Sequence, residues 1–271
     1  MRSSSVEAFV LRMRPLGEAD RILSLFSRER GKLSAVAKGI RRTKSKYGAR
    51  LDFFARSQVT LHAGRSLDII TGATLVGGMW ERIVDPDVFA YLSYVAEVVD
   101  GLSEPDFAVP EVFELLCELQ AALAEHGPGP LRATFDLRLL AALGLRPELD
   151  ACVRCGALLG KRPLAGGRAA LSPEAGGLVC AACLTAGAAD AGESRRDLDV
   201  IRIGAEDFQR LRTAGSLPLV EAAAQPALAR LARVTHAFVQ HHLGRRAKAL
   251  GTDRPARRGS SERRRVVTAH S

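Results

Sequence analysis

Apolar residues in the first part of the chain fall into five short runs, Val6–Leu11, Ile22–Phe26, Leu33–Ala37, Val59–Leu61 and Leu67–Val76. Turn-prone clusters separate them, the clearest being 16–20 (LGEAD), 28–31 (RERG) and 63–66 (AGRS). Short apolar runs bounded by Gly and polar residues read as strands. Five of them suit a small barrel better than a sandwich, which usually needs about seven strands, and the OB-fold is the five-stranded barrel. After Asp85-Pro86 the period changes to that of a helix. Phe89, Leu92, Val95 (or Ala96) and Val99 share one face as far as Gly101. Pro110 then opens a second helix carrying Val112, Leu115, Leu116, Leu119 and Leu123 and stopping at Gly127. A third runs from Leu131 through Phe135, Leu139 and Leu143 to Gly144, and further helices are expected over Ala205–Thr213 and Pro226–Leu243. The Gly127-Pro128-Gly129-Pro130 break separates the second and third.

This pattern predicts an α+β chain with an N-terminal five-stranded OB-fold barrel (1–80) and a helical domain in two parts (81–150 and 198–250). Between those parts lies an interposed four-cysteine zinc module (151–197), and after them a basic tail (251–271). Residues 186–194 and everything past Gly244 are too poor in apolar side chains to offset ordering entropy, so both are expected to be unstructured. No apolar run approaches the ~20 residues of a membrane span, and the first residues contain no secretion-type apolar core. A cytoplasmic, nucleoid-associated protein is expected.

Charge changes this picture more than composition does. The chain carries +9 overall. Residues 1–80 balance to +9, the middle to −7 and residues 245–271 to +7. Within the head, residues 28–50 hold nine Lys or Arg against Glu29 alone. Lys32, Lys38, Arg41, Arg42, Lys44, Lys46 and Arg50 are therefore the candidate phosphate-binding residues, with Lys32 and Lys38 on one face of a strand and the rest in a loop opened by Gly39. A solvated charged loop is the plainer alternative. Tyr47, Phe53 and Phe54 are the only nearby candidates for base stacking; Phe53 and Phe54 read as core, which points to a backbone grip with little stacking.

Four of the five cysteines form two Cys-x-x-Cys pairs, Cys152/Cys155 and Cys180/Cys183. Thiolates at this spacing on tight knuckles suit tetrahedral Zn²⁺, and a four-thiolate site has no open position for a reacting water. A structural zinc ion is expected. Cys117, on the apolar face of a helix, reads as a small buried hydrophobe. No catalytic constellation is evident: there is no GxxxxGK[ST] loop, the six His lack ligand spacing, and Asp20, Asp52 and Asp68 are scattered. The chain reads as a non-enzyme.

With these features in view, the chain resembles the RecO family of bacterial recombination mediators. Residues 11–23 (LRMRPLGEADRIL) look like the family's first strand and turn, and 31–48 (GKLSAVAKGIRRTKSKYG) is similar to its signature nearly residue for residue. Residues 143–156 (LGLRPELDACVRCG) and 176–180 (GGLVC) resemble the entry and exit of its zinc module, and His242-Leu-Gly-Arg the end of its last helix. The resemblance implies a DNA-repair role in homologous recombination. It implies binding of single- and double-stranded DNA (ssDNA, dsDNA) and annealing of complementary strands. It also implies a RecR-type partner, with which such proteins help load a RecA-type recombinase onto ssDNA coated by single-stranded-DNA-binding protein (SSB), whose C-terminal tail they contact. A generic OB-fold RNA-binding protein is the alternative that composition alone leaves open. The Arg-rich tail after Gly251 departs from the family pattern.

Overall fold

A computed structural model of the chain describes residues 3–43, 45–158, 168–184 and 199–244. All five expected barrel strands form: β1 (Ser3–Leu16), β2 (Asp20–Ser27), β3 (Gly31–Ala37), β4 (Arg56–His62) and β5 (Asp68–Gly77). They close in the order β1-β2-β3-β5-β4, with β4 pairing back onto β1, which is the OB-fold arrangement. Burial alternates strictly along β3, as a strand with one face in a core requires. The barrel interior is packed with Val6, Val10, Leu23, Leu25, Leu33 and Leu61 among others, and Tyr47 and Leu51, from the β3–β4 connection, join that core.

The parallel seam that closes the barrel is short. Strand β3 pairs with β5 only over Ala35–Ala37. The start of β3 is completed from outside, where Lys32 bridges Pro105 and the Asp106 N–H donates to the Lys32 carbonyl at 2.8 Å. This approach needs Gly31, which has φ +65°; a Cβ there would lie 1.9 Å from the Phe107 carbonyl oxygen.

The helices are α1 (Pro86–Leu102), α2 (Pro110–Glu125), α3 (Leu131–Ala142), α4 (Ala205–Ala214), α5 (Leu219–Ala223) and α6 (Ala232–Leu243). Asp85 caps α1 by accepting from the Asp87 N–H, with Pro86 in the first turn. The expected Pro226–Leu243 helix is split into a 3₁₀ stretch, Pro226–Leu231, and α6. Phe89, assigned to the buried face of α1 by its spacing, is half exposed instead and meets Phe53 edge-on at 5.8 Å. Helix α1 is buried on a broad face that includes Val88, Tyr91 and Tyr94, so a single stripe underestimates what its neighbours cover.

Barrel and helices share one apolar core. Phe9, Leu11, Phe26 and Phe54 lie in the same cluster as Phe113, Leu116 and the other buried helical residues, which continues to Leu171 and Leu178 near the cysteines. Each such side chain contributes roughly 1.5–3 kcal/mol by leaving water. Within the helical part, buried Asp136 accepts hydrogen bonds from the Tyr94 and Thr235 hydroxyls. Burial raises its carboxyl to about 7, although both hydroxyl donors pull it down.

A second sheet, which the residue pattern did not predict, has the order β7-β6-β8 and comprises β6 (Arg168–Ser172), β7 (Gly177–Val179) and β8 (Ile201–Gly204). Strand β8 lies beyond the expected end of the four-cysteine module yet pairs with β6 inside it. Sheet and module are therefore continuous with the returning helical part. Among the described residues no helix is long and apolar enough to cross a membrane.

Candidate nucleic-acid interface and metal centre

The stretch 28–50 is divided by the barrel. Arg28 pairs with Glu7 and with Glu114 of α2, and its guanidinium lies 4.6 Å from the centre of the Phe113 ring. Arg30 bonds Asp68 at 2.6 Å and also Asp106. Lys32 was expected to share a phosphate-facing surface with Lys38. Its amine instead donates to the Asp100 and Ser103 carbonyls at the end of α1 and lies 3.8 Å from the Asp100 carboxylate. These carbonyls are the unpaired acceptors that every helix C-terminus leaves, and a cation there also suits the helix dipole. Lys32 thus holds barrel to helix and is not presented to a ligand.

The remaining candidates lie past the end of β3. Lys38, Arg41, Arg42, Lys46 and Arg50 are all exposed, and Lys44 lies outside the described residues. The connection starts beside the β1–β2 turn, where Asp20 accepts the Gly39 N–H at 2.7 Å and Gly39 takes φ +67°. The Arg41 N–H donates to the Ala19 carbonyl at 3.0 Å, and its guanidinium reaches the Gly17 carbonyl at 3.2 Å. The connection then reaches β5, where the Tyr47 hydroxyl donates to the Ile70 carbonyl at 2.6 Å and Lys46 to the Thr71 carbonyl at 2.8 Å. The basic loop therefore runs across one end of the barrel, from the β1–β2 turn to β5. The ion pairs between described residues involve Arg28, Arg30, Lys32, Arg56, Arg138, Arg210, Arg212 and Arg230, and none of the loop cations.

Tyr47 is buried in the barrel core, so its ring is closed to base stacking. Phe54 is buried against Phe9 at 5.4 Å, and Phe53 packs beside it, as expected of core residues. Phe54 takes φ 58°, a costly conformation for a bulky residue, and is fixed there by its N–H bond to the Val10 carbonyl at 2.8 Å. What charge density missed is the pair Arg12 and Arg14. Apolar neighbours dilute them in sequence, but both are exposed on β1 close to the same turn. The alternation Arg-Met-Arg was the available signal.

The four cysteines of the two pairs converge. Their sulfurs all lie within 4.8 Å of one another, and Cys155 Sγ is 3.7 Å from Cys180 Sγ. Tetrahedral thiolates at ~2.3 Å from one ion stand about 3.8 Å apart, so the donor set fits a single zinc-sized cation. The first knuckle turns through Gly156 at φ +72°, whose N–H donates to the Cys152 carbonyl at 2.8 Å. The second follows β7 directly, and the Cys180 N–H donates to Cys152 Sγ at 3.3 Å. Burial opposes ionisation of Cys152, but N–H groups of Cys180, Arg154 and Cys155 together bring its thiol down to about 6. Hydrogen bonds to the Cys180 and Cys155 sulfurs hold Cys183 up to about 12, since a second negative charge is disfavoured beside the first. A divalent cation is the group that would let all four sulfurs ionise. Backbone bonds from Val153 to the Leu178 carbonyl (2.9 Å) and from Leu178 to the Glu148 carbonyl (2.8 Å) join the two knuckles to the sheet. The fifth cysteine, Cys117, is half-buried on α2 and accepts from Arg56 at 3.0 Å.

Known proteins match along the whole folded length. "Recombination protein O N terminal" matches residues 1–79 and "Recombination protein O C terminal" residues 84–251. A "DNA repair protein RecO" of Nocardioides sp. is 35% identical over 248 residues, 90% of this chain and 96% of its own length. Proteins of the same name from Heliobacterium modesticaldum (42% over 188 residues) and Desulfitobacterium hafniense (36% over 185 residues) each cover 68% of this chain and 66% of their own. The closed barrel, the helical part and the four-cysteine cluster fall where these matches run, and the chain belongs to the RecO family.

Proposed function

We propose that this chain is a non-enzymatic recombination mediator of DNA repair that binds ssDNA and dsDNA across the end of its barrel and anneals complementary strands. The observation that carries this reading is the group of exposed cations, Lys38, Arg41, Arg42, Lys46 and Arg50, aligned across one barrel end with no carboxylate partner among the described residues. Lys44 belongs to the same run and is included. Cations left unpaired in a folded chain are available to phosphates, and each phosphate neutralised releases counterions. With a RecR-type partner the chain would help load a RecA-type recombinase onto SSB-coated ssDNA, engaging the SSB C-terminal tail. Family membership and the names of its relatives support this part of the reading.

The decisive experiment is annealing of SSB-coated complementary oligonucleotides, with and without the RecR-type partner. Wild type should accelerate annealing, and a chain with Arg41, Arg42 and Lys46 all changed to Ala should not. Wild-type annealing by the triple variant would remove the loop from the mechanism. Zn²⁺ held by Cys152, Cys155, Cys180 and Cys183 would act as a structural tie between the two knuckles and the sheet. Elemental analysis should find about one zinc per chain in wild type and none in C152S/C155S, as a four-thiolate site requires. Equal zinc in both proteins would place the ion elsewhere.

A further inference from the structure

Annealing requires two strands to be held at once, and the loop cations line a single end of the barrel. The outer wall next to that end carries another group of cations. The bulge between Val10 and Arg12 resets the alternation of β1, so that Met13 packs with the barrel interior while Arg12 and Arg14 are exposed. Arg12 lies opposite Ser24, which lies opposite Ser34. Arg14 lies opposite Ile22, Ile22 opposite Val36, and Val36 beside Ile69 of β5. This second row crosses four strands at the end from which the basic loop departs.

The two halves of this wall differ. Phe9, Leu11 and Phe26 are sealed in the core shared with the helices, Ser24 donates to Asp100 at 2.6 Å, and Lys32 is bound to the end of α1. Toward the turn, Ile22, Val36 and Ile69 are only partly buried, and neither the Arg12 nor the Arg14 side chain has a bonding partner among the described residues. Their Cα atoms are two strand residues, about 6.8 Å, apart. Two long cations on one face at that spacing can each meet a phosphate of an extended strand. The aliphatic row beside them offers sugars and base faces an apolar floor without an aromatic to fix sequence. Arg41 and Gly39 are bonded to Gly17, Ala19 and Asp20 of the β1–β2 turn, so wall and loop meet at one rim. The Asp20 carboxylate at that rim accepts from the Gly39 N–H.

We infer that the outer wall of β1–β3 is a second phosphate track, in which Arg12 and Arg14 hold one DNA strand while the loop cations hold its complement. This rests on the reading that the loop binds DNA. The two tracks place a cation row against each backbone, which removes the repulsion that keeps two polyanions apart, and the shared rim is where base edges meet.

The test compares four full-length proteins: wild type, R12S/R14S, R12K/R14K and R41A/R42A/K46A. Binding of a labelled single oligonucleotide is measured by anisotropy across a salt series, and annealing of two complementary oligonucleotides under saturating protein. R12S/R14S should bind the lone strand within about threefold of wild type with an unchanged salt slope, because that strand takes the loop track. Its annealing rate should fall at least about tenfold, and R12K/R14K, which keeps both charges, should restore it. The loop variant should instead lose about 2 from the salt slope, near 0.7 per phosphate contact. Wild-type annealing by R12S/R14S overturns the second track, and if the loop variant fails in the same assay the loop reading survives alone. Annealing at the wild-type rate by both variants overturns both readings. Equal loss of lone-strand binding and annealing in R12S/R14S means one continuous site and also overturns the second track. Both arginines are exposed and unbonded, so folding should be unaffected, and equal Tm values would verify it.

Discussion

Arg28, Arg30, Lys32 and Arg56 sit on the barrel flank that faces the helices, whereas Lys38, Arg41, Arg42, Lys46 and Arg50 cross its end. The first group meets Glu7, Asp68, Asp100, Asp106 and Glu114. The second donates only to backbone carbonyls where it is hydrogen-bonded, and Lys46 also lies 5.1 Å from the centre of the Tyr47 ring. Local composition does not separate the two, because both belong to one basic region of the sequence. Carboxylates of the barrel itself (Glu7, Asp68) and of the helical part (Asp100, Asp106, Glu114) meet the flank but not the end, so the same residue type is structural in one place and available in the other. The lesson is that charge density marks a basic region, while the carboxylates that the fold brings beside it decide which cations remain for a ligand.

The comparison can be broken most severely at Gly31. Val at this position meets the Phe107 carbonyl and must hold a positive φ, so G31V should lose about 4 kcal/mol in urea unfolding. A loss below about 1 kcal/mol would show that the flank contact is dispensable. A comparable effect comes from Asp136, a carboxyl that no cation compensates within bonding distance. The folded chain keeps it protonated up to about 7, against 3.8 for the unpaired group, so the native state binds the extra proton between those values. Stability should therefore fall as pH rises from 3.8 to about 7, by on the order of 4 kcal/mol, and level off above. D136N should flatten that slope; an unchanged slope would assign the titration to another group. The smallest effects sharpen the contrast directly. K32A should cost about 2 kcal/mol, since it leaves helix-end carbonyls unpaired, and leave DNA affinity at wild type. R41A/R42A/K46A should change stability by less than about 0.5 kcal/mol while weakening DNA binding at low salt. Equal stability losses in the two variants would erase the distinction between flank and end.

Much of the fold was legible because its signals are local. Five apolar runs with Gly-containing turns between them give five strands whatever they pair with. The two Cys-x-x-Cys pairs carry their own geometry, so the four cysteines that converge were named before any contact was known. Strands β6 and β8 were not legible: they are short, and they pair with each other across some thirty residues of chain, which no local pattern records. Phe89 and Tyr47 were misjudged for a related reason. Helical spacing fixes which residues share a face, but the number of neighbours around α1 determines how much of its surface is covered. An aromatic in a basic loop can equally turn inward when a backbone acceptor such as Ile70 lies beneath it.

The barrel strands, most of the helices, the two cysteine pairs and the location of positive charge were legible in the sequence alone, because each depends on neighbours within a turn or a strand. Tertiary structure alone decided that Lys32 belongs to the seam, that Tyr47 belongs to the core, and that Arg12 and Arg14 stand beside the basic loop. Those outcomes depend on which residues the closed barrel and α1 bring together: a carbonyl distant in sequence holds Lys32 and Tyr47, while no described residue bonds the Arg12 or Arg14 side chain.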